Sequence, residues 1–564
     1  MQEHHLEKTL FGHPKGLFTL FFTEMWERFS YYGMRAILIL FMVASAGEVN
    51  GGLGFPASKA AAIYGLYTAS VYLLTLPGGW LADNIFGQRK TIWYGGIIIM
   101  LGHVSLAIPG TVTFFTGLGL VAVGTGLLKA NISTIVGDLY KDKGAKRDAG
   151  FSIFYMGINV GAFSGQLIVG YLGEQIDWHY GFGAAAVGML LGLIMFRVTG
   201  DEYLGELGKV PKAKEEGVDK SSNPLLAWVL VAILALFVFI LQYSGVVDMK
   251  TIVGAAEAMG YIIVAIATLY FAYVLIAGGL NTDEKKKVVV IIFLFIGAAL
   301  FWSGFEQAGS SLNLFADRHT LRYFGPMNIP GFVPYLVGVL VFIGLAYNWN
   351  KYIFKRDDLI VSLKYVSGVV VLFLSISGWW LLDNLTNGWE MPASWLQSIN
   401  PMFIILLAPV FGAIWVKLAS VNMNPSAPLK FGFGLLCLGL GFLVMVFASR
   451  IVVAGLPDES RVAITWLIMT YFLHTTGELT LSPVGLSMTT KLAPKKFAGQ
   501  MMGIWFIGTA LGNLIAGLFA GNFDESNAGQ MPNLFMSVVQ FSVGAGIIFI
   551  IISPWIKKWM GDVK

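Results

Sequence analysis

Cysteine and charged residues are both scarce in this chain of 564 residues. The single cysteine, Cys437, lies inside an apolar run, which excludes an intramolecular disulfide and argues against a cysteine metal site. Charged residues make up only 12% of the sequence, and the net charge of +4 comes without a basic cluster beyond those expected at helix ends. We therefore expect no nucleic acid among the partners.

Catalytic signatures are missing as well. The polar segments between apolar runs are short and contain no metal-ligand cluster, nucleophile elbow or phosphate-binding glycine loop. Met1 to Lys8 show no small-residue cleavage site ahead of a short apolar core, which argues against a cleavable signal peptide. The sequence thus predicts neither an enzyme nor a bound metal or cofactor, and the first long helix is expected to remain in the protein.

Apolar residues, in contrast, make up 56% of the chain, which is typical of a polytopic membrane protein. Apolar runs of about 18–25 residues number about six before a polar stretch near 200–223 and about ten after it. The two runs after that stretch have centres near 236 and 266, and two later runs have centres near 340 and 374. We predict an all-α membrane protein with about 16 transmembrane helices.

Basic loops indicate the orientation of these helices. The loops that fall on one side of the membrane in this count are Arg89-Lys90, Lys141 to Arg147, Lys209 to Lys214, Lys285 to Lys287, Lys351 to Arg356, Lys495-Lys496 and Lys557-Lys558. The positive-inside rule makes that side cytoplasmic. We expect a multi-pass protein embedded in the lipid bilayer of the cell (inner) membrane, with both termini in the cytoplasm.

Four charges stand on one stripe of the first apolar helix. With the tyrosines on neighbouring turns, the stripe consists of Glu24, Glu27, Arg28, Tyr31, Tyr32 and Arg35. Intervals of three, four and seven residues place these side chains on one helix face. A charge at bilayer depth costs at least about 2.5–3.5 kcal/mol on insertion scales, so such a stripe indicates an ion or substrate path. The alternative, a charge pair snorkelling at a helix end, rarely needs four charges.

A second motif follows the second apolar helix. Residues 79–90 read Gly-Trp-Leu-Ala-Asp-Asn-Ile-Phe-Gly-Gln-Arg-Lys, and this resembles the loop between helices two and three of the major facilitator superfamily. Its glycines allow tight backbone packing, and Asp83 can accept hydrogen bonds from a neighbouring helix end or from Arg89. We predict a conformational latch formed by Asp83 and Arg89, the alternative being an ordinary short polar loop.

Within that superfamily the chain resembles the proton-dependent oligopeptide transporter family. The segments that carry the resemblance are Glu24-x-x-Glu27-Arg28, Gly124 to Asn131, Phe154 to Gly161, Phe301 to Gln307, Gln397 to Pro401 and Glu478 to Gly485. Each one alone would be weak, but six in the right order span nearly the whole chain. The resemblance implies the major facilitator fold of two six-helix bundles and a transporter of di- and tripeptides.

The resemblance also implies a division into domains. An N-terminal bundle would occupy 1–200, a cytoplasmic linker with two extra transmembrane helices 201–284, and a C-terminal bundle 285–564. The resemblance breaks between about 326 and 391, where two apolar runs surround a basic loop. We predict that this segment is a second inserted helical hairpin.

A peptide zwitterion needs an anion at one end of its cavity and cations at the other. Arg28, Arg35 and Lys129 are the cations of the first half, and Glu306 and Glu478 are the anions of the second. By the resemblance, the peptide carboxylate docks near Arg28 and Lys129 and the ammonium near Glu478. The other positions that match cavity residues of the family are Tyr31, Tyr32, Tyr72, Tyr155, Asn159 and Asn400 for the amides, and Trp302, Phe305, Ser482 and Trp505 for side-chain pockets. For each aromatic residue, ordinary helix packing is the alternative.

Proton coupling needs carboxyl groups whose protonation changes during the cycle. Burial favours the protonated form of a carboxyl and a nearby arginine favours the ionised form, which suits Glu24 and Glu27 beside Arg28, and also Glu306. Mammalian members of the family have a histidine on helix two, and the corresponding position here is Gly65. Coupling would then fall on the carboxylates alone.

The family resemblance further implies two alternating ion pairs between the halves. Arg35 would pair with Glu306 toward the outside, and Lys129 with Glu478 toward the inside. Protonation or peptide binding would break one pair and free the other, as in a rocker-switch transporter.

The leading hypothesis is a proton-coupled symporter that imports di- and tripeptides, with the proton gradient rather than a cofactor as its energy source. A rival within the superfamily is an importer of nitrate or another small solute, although Glu478 favours peptide because an anion needs no carboxylate receptor. A rival of another class is a proton-channel subunit of a membrane complex, which would not need the 79–90 motif. The oligomeric state is not indicated.

Overall fold

The computed structural model describes residues 9–10, 12–140, 145–211, 236–326, 330, 332–355, 388–455, 461–521 and 529–561, with 368, 375, 378–380, 382–384 and 386–387. The predicted spans centred near 236 and 374 therefore lie largely outside the described residues. Nearly all of the described part is helical, which confirms the prediction of an all-α fold.

The helices with described bounds are α1 (Lys15–Val43), α2 (Ala57–Leu73), α3 (Thr75–Leu81), α4 (Gln88–Leu106), α5 (Thr111–Asp138), α6 (Ala145–Tyr171), α7 (Trp178–Leu204), α8 (Ile252–Ala277), α9 (Thr282–Phe305), α10 (Ser311–His319), α11 (Val333–Trp349), α12 (Ile399–Ser420), α13 (Ala427–Ala454), α14 (Thr465–Leu492), α15 (Ala498–Ala520) and α16 (Met531–Met560). Several are prolonged by π-helical turns, at Ala82–Phe86, Leu172–Ile176 and Asn350–Phe354, or by 3-10 turns, at Glu306–Gly309, Ala393–Ser398 and Lys495–Phe497. Short strands are β1 (Thr9–Leu10), β2 (His13–Pro14), β3 (Thr320–Leu321), β4 (Tyr323–Phe324), β5 (Trp389–Glu390) and β6 (Val462–Ala463).

Ten continuous helical stretches in the described part of the chain are long and apolar enough to cross a membrane. In this count α2 is taken together with α3, and α9 with α10. Helix α1 is not among them because of its five charged residues, although its 29 residues extend over about 43 Å at about 1.5 Å per residue. The exact number of spans stays a prediction. The charges in α1 must therefore be stabilised by other parts of the protein rather than by lipid.

The helices pack mainly within α1–α7 or within α9–α16, and the contact between α2 and α15 is the main exception. Helix α1 packs against α6 and α7, and α13 packs against α14 and α16. Helix α2 meets α15 at Gly65 and Gly517, where a Cβ added at Gly65 would lie 3.0 Å from the Cα of Gly517. The backbones touch at this point, so a histidine at this position would not fit without moving α15.

The 79–90 motif is helical over most of its length, so its prediction as a loop is wrong. Helix α3 and the turn Ala82–Phe86 continue to Phe86, and α4 begins at Gln88. Gly87 makes the break with a φ of +79°, and a Cβ there would lie 2.6 Å from the carbonyl oxygen of Lys209. Glycine permits this left-handed conformation and close approach, whereas the apolar residues before it favour continued helix.

The predicted inserted hairpin enters and leaves the bundle at one point. Strand β4 pairs antiparallel with β5, with Tyr323 opposite Glu390 and Phe324 opposite Trp389. The two ends of the segment 325–388 are therefore held side by side by a two-residue ladder. Helix α11 lies in this segment and is largely exposed, with only Pro334 and Gly338 fully buried.

This ladder allows a test of whether residues 325–388 are needed for folding. Replacement of residues 325–388 by Asn-Gly would connect Phe324 to Trp389 through a two-residue hairpin turn. Such a turn suits these two residues because they lie directly opposite each other in antiparallel strands. We expect the shortened protein to give a monodisperse peak in detergent by size-exclusion chromatography, at a similar yield to the full chain. A variant with Asn-Gly inserted between Tyr140 and Lys141, and with no residue deleted, is the control for expression and purification. Aggregation of the shortened protein alone would show that the segment is part of the folding core.

Candidate functional site

The charged stripe of α1 forms a buried cluster. Arg28 Nε donates to Glu24 Oε1 at 2.8 Å, and Glu27 Oε2 lies 3.0 Å from the same nitrogen. All three side chains are buried. Neither Glu27 oxygen accepts a well-formed hydrogen bond from a described residue. Glu27 is held by charge attraction, and its oxygens retain lone pairs that can take a proton.

Arg35 lies about two turns further along α1 and reaches the second half of the chain. Its guanidinium forms a buried ion pair with Glu306, the first residue of the 3-10 turn after α9, and its Nε donates to the hydroxyl of Tyr64 on α2. The ring centres of Tyr32 and Tyr64 both lie 5.6 Å from the guanidinium carbon, within cation–π range. Arg35 therefore connects α1 and α2 to the end of α9.

Lys129 on α5 and Glu478 on α14 do not form an ion pair. Lys129 Nζ lies 3.7 Å from the ring centre of Tyr72, and no carboxylate in the described ranges lies within 4 Å of it. Glu478 Oε2 accepts a hydrogen bond of 3.1 Å from Asn400 Nδ2 on α12, which also donates to Thr475 Oγ1. The structure thus contains the outer predicted pair and lacks the inner one, and their alternation stays a prediction.

The predicted amide-binding residues have different surroundings. Tyr31 is buried, its ring centre lies 5.2 Å from that of Tyr32, and its hydroxyl has no hydrogen-bond partner in the described part of the chain. Tyr155 on α6 is exposed, and its backbone oxygen accepts from Asn159 Nδ2 at 2.9 Å. One of the two N–H donors of Asn159 is therefore used within its own helix.

The predicted pocket residues lie on α9, α14 and α15. Trp302 and Phe305 form an edge-to-face pair with ring centres 5.2 Å apart, and Trp302 Nε1 is buried without a hydrogen-bond partner among the described residues. Trp505 covers Gly485, where an added Cβ would overlap its ring, and Ser482 is partly buried one turn away. The position of Trp505 is thus explained equally by packing over Gly485 and by a role in a substrate pocket.

Arg89, one of the two residues of the predicted latch, binds the end of α7. It donates to Asp201 Oδ1 at 2.5 Å and to the carbonyl oxygen of Gly205 at 2.8 Å. Arg89 lies in the first turn of α4, and the last carbonyls of α7 lie beside it and need donors. The latch itself stays a prediction.

Sequence reasoning missed several residues of this region. The hydroxyl of Tyr64 accepts a hydrogen bond from Arg35. The sequence indicates this residue only through the presence of several tyrosines in α2, of which Tyr72 alone is among the predicted site residues. The carbonyl oxygen of Ala36 accepts from Asn313 Nδ2 at 2.8 Å and Gln397 Nε2 at 3.2 Å. No local pattern points to these two contacts, which join α1 to the second half.

The described part of the chain offers no group of three or more His, Cys, Asp or Glu side chains that could hold a metal ion. The buried carboxylates of α1 both contact Arg28, and that of Glu306 contacts Arg35. The expected lack of a metal and of a cofactor stays an expectation.

Known proteins resemble this chain along its whole length. A family model described as the POT family matches residues 89–345 and 379–534, which together make up more than half of the chain. The chain belongs to the POT family. An uncharacterized transporter of Bacillus subtilis, YclF, is 39% identical over 99% of this chain and 97% of its own. The peptide transporter YePEPT of Yersinia enterocolitica is 37% identical over 99% and 97%, and a di-/tripeptide transporter of Lactococcus lactis subsp. cremoris is 34% identical over 99% of both chains.

Solved structures of POT proteins have the same architecture. The crystal structure of a peptide transporter POT in complex with sulfate has a TM-score of 0.76 and 36% identity, covering 98% of this chain and 97% of that one. A mutant of a peptide transporter POT in complex with alafosfalin has a TM-score of 0.75 at 36% identity and the same coverage. The fold is that of the major facilitator superfamily, and the protein is a multi-pass membrane transporter rather than an enzyme.

The POT family model leaves residues 346–378 unmatched. This gap is shorter than the break predicted at 326–391, because the match continues through most of α11 and resumes at Trp379. The unmatched residues lie inside the segment that β4 and β5 close at its base. The division into domains itself stays a prediction.

Proposed function

We propose that this POT family protein imports di- and tripeptides together with protons by alternating access. Relatives from Yersinia and Lactococcus are named peptide and di-/tripeptide transporters, and a similar crystal structure contains alafosfalin. The observation that carries the proposal is the pair of unmatched charges in the two halves. Lys129 has no carboxylate, and Glu478 no Lys, Arg or His side chain, within 4 Å among the described residues.

A zwitterionic peptide would supply both missing charges. Its carboxylate would bind Lys129 and Arg28, and its ammonium would bind Glu478, whose carboxylate Asn400 already orients. Charge-assisted hydrogen bonds of this kind are strongest where water is excluded. Nitrate would satisfy Lys129 but leave the buried Glu478 without a cation, so the geometry favours a peptide over a simple anion.

Buried polar groups on both sides would bind the peptide backbone. The hydroxyl of Tyr31 and the indole Nε1 of Trp302 have no partner among the described residues, and an unpaired buried donor costs about 1–3 kcal/mol. A peptide amide would remove that cost. Tyr32, Tyr72 and Tyr155 would flank the peptide, with Phe305 and Ser482 near its side chains.

Protons would be carried by Glu24, Glu27 and Glu306. Protonation of Glu306 would remove its attraction for Arg35 and so release the outer ion pair. Protonation of Glu24 or Glu27 would free Arg28 for the peptide carboxylate. Each carboxyl thus links a proton to a specific change in the cycle.

The present arrangement would correspond to a state open to the cytoplasm. In the proposed cycle the Arg35–Glu306 pair closes the outside, and the separated Lys129 and Glu478 leave the inside open. The two halves would rock about the site between them, and peptide binding would shift the population between the two states.

Transport in liposomes tests the proposal. Purified protein is expected to accumulate labelled dialanine when an inward proton gradient is imposed, because proton entry drives the cycle in one direction. An uncoupler should abolish the accumulation, and excess tripeptide should block it whereas nitrate should not.

Three results would contradict the proposal. Inhibition by nitrate without inhibition by tripeptide would support the transport of a small anion instead. A monodisperse protein that accumulates no peptide under a gradient would exclude proton-coupled peptide symport. Proton entry without any solute would favour a proton channel.

A further inference from the structure

A half-buried carboxylate joins the two halves at the outer end of α6, away from the ion pair of Arg35. Glu174 lies in the π-helical turn Leu172–Ile176 that prolongs α6. Its Oε2 accepts from the backbone N–H of Ala393 at 2.7 Å, and its Oε1 accepts from that of Ser394 at 2.9 Å. Both oxygens are therefore used by one short stretch of backbone, 219 and 220 residues away in the chain.

The two N–H groups are the first of the 3-10 turn Ala393–Ser398, which leads directly into α12. The first N–H groups of a helix have no partner within the helix and form its positive end. The structure gives this helix start no side-chain cap from its own N-cap residue, Pro392. Glu174 satisfies two of these donors, one with each oxygen of its carboxyl group.

Neighbouring contacts bring the same two elements together. Trp395 Nε1 donates to the carbonyl oxygen of Leu167 on α6 at 2.8 Å. A Cβ added at Gly170 would overlap Ser394 Oγ, so the backbone of α6 touches the turn directly. The contact is close and specific, and it uses α6 and α12 whereas Arg35 and Glu306 use α1 and α9.

We propose that Glu174 is a second outer latch, which holds the outside closed by capping the start of α12. The inference rests on the proposed alternating-access cycle, in which the outer ends of the halves must separate. Separation of α6 from the turn breaks both backbone hydrogen bonds and leaves a carboxylate and two helix-start donors to water. Glu174 thus is a positioning residue that sets the ratio of outward-open to outward-closed molecules and does not touch the peptide.

Distances between spin labels on the two halves measure this ratio directly. The protein has one cysteine, so Cys437→Ser gives a background in which labels are placed only where intended. The outer pair is Tyr180→Cys with Leu321→Cys, both on exposed positions. The inner pair is Ile85→Cys with Gln500→Cys, also exposed, and reports the opposite movement.

Glu174→Gln and Glu174→Ala are compared in lipid nanodiscs without peptide. The loss of a hydrogen bond that leaves a backbone donor without a partner changes an equilibrium on the order of tenfold. We expect Glu174→Gln to raise the outward-open to outward-closed ratio about tenfold and Glu174→Ala to raise it further. Glu48→Gln makes the same chemical change in the exposed loop after α1 and should leave the ratio unchanged.

A substitution at one of the backbone N–H donors provides a second test if the Glu174 variants fold poorly. Ala393→Pro removes the N–H that binds Oε2, and proline is tolerated at the first position of a helix. It should raise the ratio in the same direction as Glu174→Gln. Ratios within twofold of the Glu48→Gln control for all folded variants would overturn the latch.

Uptake measured on the same samples separates this inference from the proposed function. A shift in the distance ratio without any peptide accumulation by the parent protein would keep the latch and reject the proposed transport. Peptide accumulation by the parent with no shift in any variant would reject the latch alone.

Discussion

Glu27→Gln is expected to abolish accumulation of peptide against its gradient while peptide exchange across the membrane continues. Glutamine has the shape of a protonated glutamate and cannot release a proton, so the α1 cluster would stay in one of its two charge states. Glu27 is fully buried beside Arg28, and neither of its oxygens accepts a hydrogen bond from a described residue. The substitution thus changes charge with little loss of packing or hydrogen bonding.

The expected size follows from the energy in the gradient. One charge that crosses about 100 mV carries about 2.3 kcal/mol, equivalent to a concentration ratio of about 50. Liposomes with the parent protein should approach such a ratio for dialanine, whereas those with Glu27→Gln should stay near equality. Counterflow, in which labelled dialanine enters liposomes preloaded with unlabelled peptide, should persist in the variant.

The control for this experiment is Glu206→Gln, which makes the same change in an exposed pair with Lys209. It should accumulate peptide as the parent does. Full accumulation by Glu27→Gln would show that Glu27 carries no proton, and loss of counterflow would show that it serves binding or movement instead.

Glu478→Gln is expected to weaken the binding of peptides with a free amine. Removing one partner of a buried, hydrogen-bonded charge pair costs about 2–5 kcal/mol, and 2 kcal/mol corresponds to about thirtyfold in KM. Glu478 has no cation of its own within 4 Å among the described residues, and Asn400 holds its carboxylate in place. The ammonium of the peptide is therefore the group that the substitution would leave unpaired.

An N-acetylated dipeptide is the matched comparison, because it has no ammonium to lose. Its KM should be the same in the parent and in Glu478→Gln, while the KM for dialanine rises. Equal changes for both peptides would mean that the substitution disturbs the cavity generally. No change for dialanine would mean that the ammonium docks elsewhere.

The geometry within a single helix was predictable from the sequence. Intervals of three and four residues placed Glu24, Glu27 and Arg28 on one face, and the structure brings them together at 2.8 to 3.0 Å. Helical periodicity alone fixes such contacts because the backbone sets the side-chain spacing. The contact between Arg35 and Glu306 was implied by the family resemblance rather than by spacing, since 271 residues separate the two.

Contacts between distant segments were not predictable from local patterns. The carbonyl oxygen of Ala36 receives two hydrogen bonds from the second half, and its residue type gives no sign of this. Arg89 pairs with Asp201 because α4 begins beside the end of α7, which depends on how whole helices pack. The roles of the predicted site residues in binding and proton transfer are decided by experiments such as those above.

The ladder between β4 and β5 also offers a place to attach a marker for imaging. A membrane protein with short loops presents little rigid mass outside the bilayer, and image alignment depends on such mass. The ends of a compact soluble domain could be spliced at Phe324 and Trp389, which lie opposite each other in adjacent strands. Paired strands on both sides of the splice would limit the swing of the added domain, so its orientation would report that of the helices beneath it.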